Sequence, residues 1–181
     1  GIPEKIVNMI KLFYIKFECC VDLNTELSDW FEVVTGVRQG CILSPILFLI
    51  TIDWVLKQAN LNTRGMKWTD AKDLDDLDFA DDLALLADLT ADLQQKTNNL
   101  THFAAQTGLE INVDKTKTMY IASNDNTPIT VNNEPLEQVE DFIYLGSLIN
   151  PKHETIFIAF YDRKLLFIGI HTCVPNLVVF G

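Results

Sequence analysis

Two adjacent carboxylates, Asp81 and Asp82, follow the run Leu77-Asp78-Phe79-Ala80 and precede Leu83-Ala84-Leu85-Leu86-Ala87. Two short apolar arms around a polar pair read as a tight hairpin with the carboxylates between its strands. Such a pair offers hard oxygen donors to a cation such as Mg²⁺, which usually takes one or two protein carboxylates and lets substrate phosphates complete its shell. In a two-metal site, ions roughly 3.5–4 Å apart stabilise both the attacking and the leaving oxygens of a phosphoryl transfer. Asp-Asp is equally a good turn dipeptide without any chemical duty. Asp70, Asp73, Asp75, Asp76 and Asp78 read as a solvated acidic stretch rather than as further ligands. Cys19, Cys20, Cys41 and Cys173 lack C-x-x-C spacing, so buried thiols in a reducing compartment are expected, not a zinc site.

The elements that must position this pair are legible from periodicity. Ile2, Ile6, Met9, Ile10 and Phe13 recur at helical spacing after Pro3, which predicts an amphipathic helix entered through a proline. Residues 17–21 and 31–34 read as extended segments joined by a polar loop. Two glycines, Gly36 and Gly40, break the pattern, and Ser44-Pro45 opens a helix to about Ala59 with serine as its cap. A third helix is expected over 91–107, from Leu93, Leu100, Phe103 and Ala104, with Gly108 as its stop. Residues 111–121 alternate as one strand, and 129–131 and 142–146 as short ones. Trp54 and Trp68 read as packing residues. Helices and antiparallel strands interleave without a regular βαβ period, which defines an α+β fold. The apolar runs at 156–160 and 165–170 have no evident partner in the pattern.

The 181 residues carry a net charge of −11, a pI near 4.5 and a mean hydropathy of +0.13. That acidity argues against general nucleic-acid affinity, which rests on Lys and Arg neutralising phosphates. An acidic metal-holding centre flanked by basic domains would reconcile the two. The apolar run 41–52 contains Pro45 and is too short to span a membrane. The chain begins at Gly1, and a piece of a longer protein is expected.

Four blocks, in order, carry a resemblance. Gly36-Val37-Arg38-Gln39-Gly40-Cys41-Ile42-Leu43-Ser44-Pro45 resembles the G-x-x-Q-G-x-x-L-S-P block of reverse transcriptases. Phe79-Ala80-Asp81-Asp82 resembles their F/Y-x-D-D box. Gly108-Leu109-Glu110-Ile111-Asn112-Val113-Asp114-Lys115-Thr116 resembles the G-L-x-I-N-x-x-K-T block, and Phe142-Ile143-Tyr144-Leu145-Gly146-Ser147 the primer-grip hairpin. Together they look like the RNA-directed DNA polymerase of non-LTR, LINE-type retrotransposons.

The resemblance implies a palm-like antiparallel sheet backed by helices, with residues 1–35 leading into it, 36–149 forming the palm core and 150–181 a divergent apolar tail. It implies Asp81 as principal metal ligand with Asp82 beside it, and Mg²⁺ or Mn²⁺ as the cofactor. Arg38, Gln39, Gly40 and Phe79 would border template and nascent base pair. Lys115 would neutralise or protonate the pyrophosphate leaving group, and Phe142, Tyr144, Leu145 and Gly146 would brace the primer. RNA template, DNA primer and deoxynucleoside triphosphate are the implied partners, in an intracellular, nucleus-associated setting, together with upstream fingers and palm and a downstream thumb.

The pattern also departs from the family. The block carrying its other aspartate should precede Gly36, yet Asp22 and Asp29, the only aspartates there, lie in other contexts. Without that ligand this chain is expected to be inactive. The abrupt change near Asn150, after which residues 151–181 are short, apolar and gain little positive charge where a thumb should follow, leads to the expectation of a degraded or misframed element copy. A non-catalytic palm-shaped interaction protein is the alternative, and a generic acidic metal-binding module leaves three blocks unexplained.

Overall fold

The computed structural model describes residues 1–23, 26–33, 36–37, 40–121, 125 and 127–150, and the backbone of 163–171. Two compact units divide it, one containing Gly1–Leu47 and the other Phe48–Thr172. In the first, the Pro3 carbonyl accepts from the amides of Ile6 and Val7 at 2.9 and 3.3 Å, and α1 (Glu4–Leu12) follows. Glu4 in its first turn and Lys11 in its last both suit the helix dipole. Strand β1 (Glu18–Cys19) pairs antiparallel with β4 (Phe31–Glu32), enclosing a smaller hairpin of β2 (Asp22–Leu23) and β3 (Glu26–Leu27). Cys19 and Cys20 are buried free thiols. Helix α2 (Ser44–Ala59) starts one residue earlier than its expected cap implies. The Leu47 amide bonds to Leu43 O, so Ser44 is the first helical residue, and its hydroxyl lies 3.4 Å from that of Tyr14. Among the described residues no helix is long and apolar enough to cross a membrane.

The second unit contains, in order, β5 (Met66–Thr69), β6 (Lys72–Leu74), β7 (Asp76–Phe79), β8 (Asp82–Ala87), α3 (Thr90–Gln106), β9 (Glu110–Ile111), β10 (Lys117–Ile121), β11 (Thr130–Val131), β12 (Glu134–Pro135), β13 (Glu137–Gln138), β14 (Phe142–Tyr144), β15 (Ser147–Ile149) and β16 (Arg163–His171). Its main sheet has the order β13-β10-β16-β8-β7, with β9 also paired to β16. Because β16 is antiparallel to both β8 and β10, those two strands run parallel to each other. They are linked through α3, making a split β-α-β unit with one strand inserted. The segment at 165–170, without a partner in the sequence pattern, is that inserted strand.

Strand β8 is buried on both faces. Leu83, Leu85 and Ala87 pack with Ile52, Val55, Leu56 and Ala59 of α2 and Leu93, Leu100 and Ala104 of α3. Ala84 and Leu86 face the opposite cluster of Met66, Met119 and Ile121, on which Phe142, Tyr144 and Ile149 rest. This alternation follows from the two-residue repeat of a strand, and the helical faces from i, i+3, i+4, i+7 spacing. The outcome is the α+β fold expected from the sequence.

Helix α3 ends as Gly108 predicts. Gly108 adopts φ +76°, the Leu109 amide reaches back to Ala104 O at 3.0 Å and the Gly108 amide to Ala105 O at 3.3 Å. That pair of bonds is a Schellman cap, and it turns Leu109 into the core. The single strand expected over 111–121 is instead two. Asn112 interrupts it: its side-chain oxygen accepts from the Lys115 amide at 3.0 Å, and its carbonyl accepts from the amide and hydroxyl of Thr116 at 3.0 and 2.7 Å. An Asn side chain that mimics a backbone turn outweighs alternation of this kind.

Gly65 approaches the end of β6 so closely that a Cβ there would sit 2.4 Å from Leu74 O and 2.9 Å from the Asp75 amide nitrogen. Gly65→Ala must therefore displace backbone, at a cost of about 1–3 kcal/mol. A lowered urea midpoint for the variant is the expected result, and an unchanged midpoint would refute the contact.

Candidate functional site

The aspartate pair sits on the β7–β8 hairpin, but not symmetrically. Phe79 pairs with Asp82, so the two-residue turn is Ala80-Asp81, and Asp82 is the first residue of β8. The sequence pattern had counted Ala80 with the strand and both aspartates with the turn. Ala80 adopts φ +56° while Asp81 does not share the positive sign, the signature of a type II′ turn, in which glycine is the usual first residue. A non-glycine residue held there costs about 1–3 kcal/mol, and such strain gathers where a turn must present a group in one orientation. Asp81, Asp82 and Phe79 are all exposed, Phe79 at 63%.

A second hairpin stands over the even-numbered face of β8. In β14–β15, Tyr144 pairs with Ser147 across Leu145-Gly146, whose φ values of +49° and +80° make a type I′ turn. Phe142 and Tyr144 point into the cluster containing Ala84 and Leu86, and the Tyr144 hydroxyl donates towards Leu77 O of β7 at 3.5 Å, the outer limit of a hydrogen bond. Burial pushes the Tyr144 phenol above its usual range, and the charges of Asp82 and then Asp78 push it further the same way. The two hairpins are thus electrostatic neighbours. By contrast the β11–β12 turn places Asn132 and Asn133 at φ +51° and +68°, residues that tolerate that conformation.

Lys115 is exposed in the turn after β9, with no side-chain partner among the described residues. The ladder locates it: Gly169 pairs with Asp82, and the next two residues of β16 pair with Ile111 and Glu110. The turn at 112–116 therefore emerges at the same end of the sheet as the aspartates, within about two strand spacings, roughly 10 Å. Gly40 belongs to the first unit and has φ +79°, whereas Arg38 and Gln39 lie outside the described residues.

The root of the hairpin holds residues that the sequence reading missed. Lys96 of α3 is fully buried, and its ammonium donates to Asp75 Oδ1 at 2.7 Å, Leu86 O at 3.0 Å and Asp75 O at 3.1 Å. Asn60, just past α2, donates from Nδ2 to Asp76 Oδ1. Burial raises the Asp76 carboxyl above the usual 3.8; Asn60 lowers it, Asp78 raises it, and smaller effects of Lys96 and Asp75 oppose each other. Asp75 and Asp76 are therefore anchors rather than members of a solvated acidic stretch. The missed signal was spacing: Lys96 lies three residues after Leu93 and four before Leu100, on the core stripe of α3. Trp54 packs edge-on against Phe103 at 5.7 Å, as a packing residue, while Trp68 is half exposed.

In donor chemistry the aspartates fit a hard divalent cation, whose shell is normally completed by substrate oxygens and water. The fit is partial, because among the described residues no three His, Cys, Asp or Glu side chains gather to hold an ion.

Residues 1–149 match the reverse transcriptase (RNA-dependent DNA polymerase) family. The chain belongs to that family, and its likeness is to the non-LTR type. It is 29% identical over 161 residues to the "Retrovirus-related Pol polyprotein from type-1 retrotransposable element R2" of Nasonia vitripennis, covering 82% of this chain and 16% of that protein. A Popillia japonica protein of the same description is 30% identical, over 61% of this chain and 20% of its own length. The Pol polyprotein from type-2 retrotransposable element R2DM of Drosophila melanogaster is 30% identical, over 72% and 12%. The chain thus spans a fifth or less of these relatives.

Two outcomes follow from the electrostatics. Asp82→Asn removes a negative charge beside Tyr144, so the phenol should titrate at lower pH, read from its ring-carbon NMR shift; an unmoved titration would separate the hairpins. For Asp76 the folded value lies above the unfolded one, so its contribution to stability is fully present below pH 3.8 and is lost as pH rises through the folded value. Relative to Asp76→Asn, wild type should therefore lose stability as pH rises from 3.8 towards neutrality. Urea midpoints of the two proteins that run parallel across that range would contradict the assignment.

Proposed function

We propose that the chain carries the metal-holding turn and the primer-bracing hairpin of the palm of an RNA-directed DNA polymerase, acting in nucleotidyl transfer to a DNA primer on an RNA template. The observation that supports this most is the coupling of two turns, Ala80-Asp81 and Leu145-Gly146, each with a non-glycine residue at positive φ, through Tyr144. Residues 1–35 lead into that palm, 36–149 form its core and 150–181 diverge from the family pattern. Asp81 and Asp82 would hold Mg²⁺ or Mn²⁺, which when bound stabilises the attacking and leaving oxygens. Lys115, exposed at the same end of the sheet, supplies positive charge or a proton to departing pyrophosphate. Phe142, Tyr144, Leu145 and Gly146 brace the primer terminus, and Arg38, Gln39, Gly40 and Phe79 border the template and the new base pair.

Phosphoryl transfer rests almost wholly on positioning and charge stabilisation. With two carboxylates adjacent on the hairpin and no third joining them among the described residues, our reading is that the 181-residue chain by itself does not polymerise.

Mg²⁺-dependent extension of a DNA primer on an RNA template tests both statements, using this chain, a longer protein with additional sequence before Gly1, and Asp81→Ala in each. The expected pattern is no extension by the chain and extension by the longer protein that falls about a thousandfold on substitution. Extension by the chain alone would show that its own residues complete the site. Activity of the longer protein that survives Asp81→Ala would remove the catalytic assignment.

A further inference from the structure

We infer that Lys96 is a positioning residue for the aspartate turn, acting as a buried ammonium cap on the open end of the β7–β8 ladder. Its role in presenting a metal rests on the functional reading above; its role in fixing the strand does not.

Strand β7 has little else to hold it. It lies at the edge of the sheet, and Leu77, Asp78 and Phe79 are exposed, so apolar burial contributes little to keeping it in register. Its regular pairing with β8 ends at Asp76–Leu85. Beyond that, the Leu86 amide still finds Asp75 O at 2.9 Å, but the chain bends away into β6 and offers Leu86 O no donor. Lys96 supplies it. One ammonium bonds to Leu86 O, Asp75 O and the Asp75 carboxylate, using all three of its donors. It thus ties the two strands together where their own ladder stops.

The position is costly to fill in this way. Lys96 occupies the core stripe of α3, where an aliphatic residue would pack without desolvating a charge. Removing the ammonium would strand the Leu86 carbonyl and the Asp75 carboxylate, which is itself 38% exposed, and leave Asp75 O with the Leu86 amide alone. Register matters at the other end of the hairpin, since a slip of one residue turns every β7 side chain to the opposite face. Ala80 and Asp81 close a turn that only one register allows.

Amide hydrogen exchange on the full 181-residue chain tests this, comparing wild type with Lys96→Met and Asp75→Asn. In Lys96→Met, protection of the β7 amides and of the Ala80-Asp81 turn should fall about tenfold relative to α3 and β10. Asp75→Asn should show a smaller loss at the same amides, because two carbonyls still hold the ammonium; it carries the test if Lys96→Met does not fold. In parallel, Mn²⁺ binding is followed by water-proton relaxation, its Asp81 component defined by difference from Asp81→Ala. That component should weaken several-fold in Lys96→Met. A uniform loss across β7, α3 and β10, or unchanged β7 protection, would overturn the inference, as would loosened β7 with an unaltered Asp81 component. If Asp81→Ala changes nothing in wild type, the metal reading fails, and the exchange pattern alone decides the role of Lys96.

Discussion

Burial of β8 on both faces is the constraint from which the rest of the second unit follows. A strand covered by helices on one side and by hairpins on the other has no solvent-facing positions, so Leu83 to Ala87 must all be apolar. A carboxylate anywhere within it would lack water or a partner. Acidic chemistry can be placed only where the strand leaves the core, and Asp82 is its first residue, with Asp81 in the turn before it. The apolar strand is thus the rigid rod, and the aspartates are its solvated end.

Backbone conformation and polar anchoring divide the remaining work. At the tip, Ala80 and Leu145 accept positive φ where glycine or asparagine would be easier, whereas the β11–β12 turn uses Asn132-Asn133. Among the hairpin turns of the second unit that strain falls on the two that meet through Tyr144, while the third, with asparagine at both positions, is relaxed. At the root, Lys96, Asn60 and the close approach of Gly65 fix residues 74–76. An exposed edge strand held at both ends in this manner needs little apolar burial along its length.

How much of this could be read from the sequence depended on whether the deciding interaction was local. Both long helices, the Gly108 stop and the hairpin at Asp81 were legible, because periodicity, a φ > 0 requirement and a polar pair between apolar arms act over a few residues. The break at Asn112 was hidden because alternation of the surrounding residues mimicked a continuous strand. The placement of β16 was hidden for a different reason: nothing local marks a strand whose partners lie some 45 and 80 residues earlier. Lys96 was visible only to a reader willing to place a charged residue on a core stripe. Asp75 and Asp76 then follow from it, since a buried cation makes an acidic neighbour structural rather than solvated.

The same field links the site to the acidity of the whole chain. Asp78 raises both Asp76 on one side of the hairpin and Tyr144 on the other, so negative potential extends through the β7–β8 tip rather than belonging to one residue. Lys96 offsets it only at the root, because its ammonium is committed to Asp75 and Leu86. Towards Asp81 and Asp82 the described residues supply no comparable buried cation, and Lys115 emerges about two strand spacings away. A concentrated negative potential on a low-dielectric support repels phosphates and draws cations. For a chain of net charge −11, approach of a nucleic acid to this end of the sheet therefore requires positive charge that the hairpin does not itself provide.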